Sequence, residues 1–242
     1  SQPVHAYQLD RMIAANKAGL DYCTANFGPY QHQQFRIVEF PRDQAFPQSF
    51  PNTIPFSEGI GFIARVRENE KDDIDYPYYV TAHELAHQWW GHQVAGGNVQ
   101  GDTMLVETLA QYSALMVMKH KYGEEKMQKF LQYELDRYLI GRSAEQKKEL
   151  PLARVENQQY IHYRKGSVVM YALQDYIGED NLNKAIRAYR DEFAFTGAPY
   201  PNTTQLLTKI RASTPPQPQY LDGATFKTST LSHQPPNDRA DH

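Results

Sequence analysis

Val80-Thr-Ala-His-Glu-Leu-Ala-His-Gln-Trp-Trp-Gly-His92 decides how this chain is read, because His83, Glu84 and His87 within it spell H-E-x-x-H. Val80, Ala82, Leu85, Ala86 and Trp89 are apolar, and no Gly or Pro interrupts before Gly91, so the stretch is expected to be helical. Residues four apart on a helix stand one above the other, which lets both imidazoles reach one cation with Glu84 beside them. Two neutral imidazole ligands and a carboxylate that takes a proton from metal-bound water are the parts of a zinc hydrolase site. The bland alternative is a core helix that happens to carry two histidines. The order of these residue types makes the metal reading the stronger one.

A catalytic zinc needs a third protein ligand and one open position. Glu107 is the candidate. It stands in Met104–Met118, a segment apolar nearly all round, where an ionised carboxylate is costly to bury without a partner. Nineteen residues separate it from His87, enough for the first helix to end, turn at Gly96-Gly97 and return as a second helix. Asp102, a cap residue with Thr103, and Glu124, a first-turn acid, are rivals. So is His92, which falls off the face shared by His83 and His87.

The rest of the chain reads as mostly helical. Helices are expected over about 6–26, 104–120, 124–140, 161–177, 180–194 and 202–212, with Gly19 a weak point in the first. Gln34–Phe40 alternates and is expected to be a strand. Four prolines make 41–55 a loop, and 59–66 is expected to be a second strand. Trp89 and Trp90 are expected in the core. From Ser213 the composition shifts to Ser, Thr, Pro, Gln and Asp, which suits an extended or disordered tail over 213–242.

Composition sets wider bounds. The 242 residues are 40% hydrophobic, enough for a sizeable core. A formal net charge of −3 gives no case for a nucleic-acid partner. The single cysteine, Cys23, excludes an internal disulfide and a cysteine-based metal site. No apolar run approaches the ~20 residues that span a bilayer, and the start shows no signal pattern. The first residue is not Met, so a processed chain or a piece of a longer protein is expected, and the cellular location stays unassigned.

Four stretches together resemble the aminopeptidase N-like family of gluzincin zinc metallopeptidases. His83-Glu-Leu-Ala-His-Gln-Trp-Trp-Gly is similar to its H-E-L-A-H-Q-W-F-G, and Glu107-Thr-Leu-Ala-Gln-Tyr to its E-G-F-A-E-Y, which supplies the third ligand. His162-Tyr-Arg-Lys-Gly166 resembles x-Y-E-K-G, whose tyrosine is catalytic. Ile54-Pro-Phe-Ser-Glu-Gly59 stands where the family has G-A-M-E-N, of which only the acid, Glu58, is kept. The family usually has eighteen residues between its second His and its Glu, one fewer than here. Its N-terminal β domain and C-terminal helical domain are not in this sequence. A closer likeness is to the peptidase-like segments attached to bacterial ABC-transporter permease proteins, through Gln88-Trp-Trp, Glu107–Leu115 and Glu156–Gly166.

The resemblance implies a mainly α (α+β) thermolysin-like zincin catalytic domain over 1–212. A small strand-containing part is expected at about 30–70 and a helical part at about 77–212, with the cleft between them. It implies one Zn²⁺ on His83, His87 and Glu107, Glu84 as general base, Tyr163 as oxyanion donor with Tyr160 as fallback, and Glu58 as the anchor for a peptide's free α-amine. The expected activity is removal of N-terminal residues from peptides. The alternatives are a non-enzymatic zinc-containing sensing or scaffold domain of a membrane transporter, and a zinc-assisted hydrolase of esters or epoxides.

Overall fold

The structure is a computed structural model that describes residues 7–67, 70, 73–214 and 226. The tail expected over 213–242 lies outside the described residues, apart from Ser213, Thr214 and Phe226.

The architecture is mainly helical, as expected. Its centre is a pair of helices, α2 (Tyr76–Ala86) and α3 (Leu109–Tyr122), packed against each other. Between Pro77 and Ala86 every residue of α2 except Val80 is buried, and so is every residue of α3 from Leu109 to Met118. The sequence accounts for this, because in both segments apolar residues recur on every side rather than along one stripe. Asp75 caps α2 by accepting from the Tyr78 N–H at 3.3 Å. Arg11 pairs with the same carboxylate, and the Tyr122 hydroxyl donates to it at 2.6 Å. The start of α2 is thereby tied to both its neighbours.

The helix α1 (Leu9–Phe27) lies against α2. Gly19, the weak point in its pattern, has a packing reason: a Cβ there would stand 2.4 Å from Leu85 Cδ2. Beyond α2, Trp89 and Trp90 are fully buried. Their indole N–H groups donate at 3.0 Å to the Gly28 carbonyl and to Ser113 Oγ. Truncating either to alanine would cost about 3–5 kcal/mol. The helices α4 (Glu124–Ala144), α5 (Gly166–Ile177), α6 (Glu179–Phe193) and α7 (Thr203–Ser213) complete the helical part. A capping box of Asn202 and Gln205 starts α7.

The strand-containing part differs from the reading of the sequence. The strand β1 (Arg36–Phe40) forms where expected, but its parallel partner β2 is Thr53–Ser57, not 59–66. Ile54 and Phe56 bury alternate positions of β2, and Pro55 keeps its carbonyl in use by accepting from the Gln48 N–H. Chain 59–63 instead curls into turns, closed by Gly61 N–H to Ser57 O and Ile63 N–H to Glu58 O. Segment 47–50 folds back antiparallel on β2, bridging Pro47 to Phe56 and Phe50 to Thr53. The prolines of 41–55 therefore mark a tight return, with Asn52 at φ 54° in its turn, rather than an open loop.

Candidate metal centre and its cleft

His83 on α2 and His87, its C-terminal cap, present their rings edge to face, 4.7 Å between centroids. Their Nε2 atoms are 3.1 Å apart, and Glu107 Oε2 lies 3.3 Å from each. Four ligands held tetrahedrally at ~2.05 Å from a zinc ion are ~3.3 Å apart. The three atoms thus mark the three edges of one face of such a tetrahedron. The ring of His87 is also oriented: its Nδ1 faces the Trp90 carbonyl at 3.0 Å and must donate, which makes Nε2 the nitrogen that can take a metal. Glu107 Oε2 is buried without a hydrogen-bond partner among the described residues.

Charge follows the same geometry. Burial raises the carboxyl of Glu107, but the adjoining imidazoles of His83 and His87, each 3.3 Å from its Oε2, outweigh it and hold the group far below the carboxylate range. Burial lowers His87, yet Glu107 overrides it and lifts the imidazole to about 9. The cluster therefore favours positive charge at its centre, which a dication supplies. Glu84, next to His83, is not part of the group of ligand atoms, and burial raises its carboxyl.

Glu107 and Tyr163 both stand in π-helical turns, Met104–Thr108 and Tyr160–Lys165. Such turns re-aim a side chain by inserting one residue into a helix. Tyr163 faces the cluster, its ring centroid 5.8 Å from that of His83. Burial first, then the Glu107 carboxylate, keeps its phenol protonated well above the ordinary range. It is a hydrogen-bond donor at every working pH. The fallback, Tyr160, stacks near Tyr138 at 6.0 Å, and its hydroxyl accepts from Gln158 Nε2. His92 stays outside the ligand group.

Two cavities flank the cluster. One, of about 700 Å³, has His83, Glu84 and Tyr163 on its wall. The other, of about 320 Å³, has Glu84, His87, Glu107 and Tyr163. The strand-containing part closes both, but through Phe46, Pro47, Gln48 and Ser49, and not through Glu58. Glu58 lines neither, and its Oε1 accepts from the Arg42 N–H at 3.2 Å. Glu58 directly follows β2, and its carbonyl accepts from the Ile63 N–H at the start of the curl. Gln88 explains which residues do reach the cleft. Its side chain is buried, donates to Ser49 Oγ and the Phe50 carbonyl, and accepts from the Asn52 N–H, all at 2.9 Å. One glutamine beside the metal-binding motif thus clamps the edge segment over the site.

The sequence pattern of the Peptidase family M1 domain matches residues 56–218. This chain belongs to peptidase family M1. Human endoplasmic reticulum aminopeptidase 2 is 30% identical over 125 residues, covering 49% of this chain and 13% of that protein. Probable aminopeptidase 1 of Saccharolobus solfataricus is 24% identical over 180 residues, covering 70% and 22%. A crystal structure of an M1 zinc metallopeptidase from Deinococcus radiodurans superposes with a TM-score of 0.63 at 21% identity, over 92% of this chain and 45% of that one. The chain thus spans under a quarter of these curated relatives and about half of the solved structure.

The M1 family implies zinc, and the His83, His87 and Glu107 group is a candidate site for it. Reading of the sequence missed the wall at Phe46–Ser49 and the Gln88 clamp. The only available signal was that Gln88, a polar residue, continues the buried face of the M1 motif.

Proposed function

We propose that this M1 chain hydrolyses peptide bonds with one zinc ion held by His83, His87 and Glu107, and that it removes N-terminal residues. One observation carries the proposal: three ligand atoms at tetrahedral edge lengths, with Glu84 unused beside them. When bound, the ion supplies Lewis acidity and a water acidified toward neutral pH. Glu84 would take a proton from the attacking water and return it to the leaving amine, and burial, which raises its carboxyl, suits it to both transfers. Tyr163 donates its phenol hydrogen to the oxygen on which negative charge develops. The segment Phe46–Ser49, fixed by Gln88, offers the extended edge along which a peptide backbone lies.

The aminopeptidase direction is supported by the relatives, which are named aminopeptidases, and not by Glu58, which is left out of the proposed site. The competing reading is a zinc-holding scaffold or sensing domain of a transporter, which has no use for a buried general base. No helix among the described residues is long and apolar enough to cross a membrane. Glu84→Gln separates the two readings. It is expected to keep zinc and to lose turnover of amino-acyl amides by a factor on the order of 10²–10⁴, with N-acetylated substrates as controls. Turnover unchanged in Glu84→Gln, or absent in the zinc-loaded wild type, would remove the hydrolase reading.

A further inference from the structure

We propose that Arg137 is the docking point for a substrate carboxylate, set about three residues from the metal centre. This rests on the peptide-hydrolase reading above and names which peptides that site takes.

The larger cavity follows one face of α2. Tyr76, Tyr79, Val80, His83 and Glu84 recur at helical spacing, and all five line it. It therefore runs from the metal-ligand end of the helix to the N-terminal end. Seven residues separate Tyr76 from His83, two turns or ~10 Å of rise. The facing wall includes Arg137, Ile140 and Gly141 of α4. At the Tyr76 end it continues into a second cavity of about 430 Å³, which shares Tyr76, Arg137 and Arg164 with it and adds Tyr133, Ile74 and Asp73.

The two guanidinium groups there are in different situations. Arg164 is committed, since its Nη1 donates to both oxygens of the fully buried Glu134 at 3.0 and 3.2 Å. Glu134 needs that charge, being held otherwise only by Tyr79, Gln111 and Ser167. Arg137 is exposed, and its guanidinium carbon lies 4.1 Å from the centroid of the Tyr133 ring. Among the described residues no carboxylate stands within ion-pair distance of it. The carboxylates on these walls, apart from Glu84, are otherwise engaged: Asp73 accepts from the Arg67 N–H at 2.8 Å, and Glu145 from the Lys147 N–H at 3.0 Å. A guanidinium stacked on an aromatic face keeps its in-plane fork of donors for a planar anion.

An extended peptide advances ~3.3 Å per residue, so ~10 Å is about three residues. With the scissile carbonyl at the metal centre, the leaving portion runs along α2 and a carboxylate on its third residue reaches Arg137. That carboxylate is the C-terminus of a tetrapeptide or an acidic side chain at the same place.

The test uses zinc-loaded Glu84→Gln protein, which reads binding without turnover. A tetrapeptide acid, its C-terminal amide, and an amide with Asp as fourth residue are titrated calorimetrically, with and without Arg137→Gln. The expected result is about tenfold weaker binding of the plain amide, with the difference abolished by Arg137→Gln. Recovery of binding by the Asp peptide would place the carboxylate on the side chain, and its absence would place it on the C-terminus. Equal binding of all three peptides, or a preference that survives Arg137→Gln, overturns the proposal. In the active chain Arg137→Gln is expected to raise KM for the acid more than it lowers kcat. Arg137-dependent binding without hydrolysis by the wild type would sink the hydrolase reading alone. Hydrolysis without a carboxylate preference would sink the docking site alone.

Discussion

The Thr108 hydroxyl donates to the His162 carbonyl at 2.6 Å, deep in the core, and so joins the π-helical turn that carries Glu107 to the one that carries Tyr163. Each of these residues is the immediate neighbour of a residue in the proposed site. Thr108→Val keeps the shape and removes the donor, leaving a buried carbonyl unsatisfied at a cost of about 1–3 kcal/mol. Thr108→Val is expected to lower kcat about tenfold while Thr108→Ser retains it. Equal kcat for wild type and Thr108→Val would show that the two turns need no such tie.

Gly166 makes the same junction close. A Cβ there would lie 2.6 Å from Thr108 Oγ1 and 2.8 Å from its Cγ2. Gly166→Ala must push the two turns apart, and about 1–3 kcal/mol of stability is expected to go with it. Denaturant unfolding measures this directly, and an unchanged midpoint would contradict the packing described.

Tyr163→Phe removes the proposed oxyanion donor and nothing else of size. A loss of about 10²–10³ in kcat with little change in KM is expected from steady-state kinetics. Tyr160→Phe should lose much less, since the Tyr160 hydroxyl is engaged by Gln158 on the cavity wall. A reversal of these two effects would move the donor role to Tyr160.

His162 gives a pH signature. Burial lowers its imidazole from 6.5 to about 4. Between those values the unfolded chain holds a proton that the folded chain refuses. Stability is therefore full above about pH 6.5 and falls as pH drops toward 4, by about 2–3 kcal/mol from this residue. Urea unfolding of metal-free protein at pH 7 and pH 4.5 is expected to show a smaller acid loss for His162→Gln than for wild type. An identical loss would mean that His162 does not stay neutral in the folded chain.

The metal centre was legible because its parts announce themselves locally. The i, i+4 histidines share a helix face, and Glu107 is conspicuous as an acid in an apolar segment. Helix limits also came close, since α1, α3 and α6 end at Gly or at the edge of an apolar pattern. What failed depends on tertiary register. Pro55 argued against a strand at Thr53–Ser57, yet its carbonyl serves the pairing, while the apolar run after Gly59 curls and packs Gly61 closely against Phe56. The cleft wall at Phe46–Ser49 is held by Gln88, through long-range contacts that no local pattern marks. The π-helical turns have no compositional mark, and Arg137 meets the cleft only through the packing of α4 along α2.

Zinc content per chain tests the central claim most directly, measured on wild type and on Glu107→Ala after dialysis against a chelator buffered at nanomolar free zinc. One zinc per wild-type chain is expected, with occupancy lost in Glu107→Ala. A wild type that holds no zinc, or a Glu107→Ala chain that holds it equally well, would contradict a centre built from His83, His87 and Glu107.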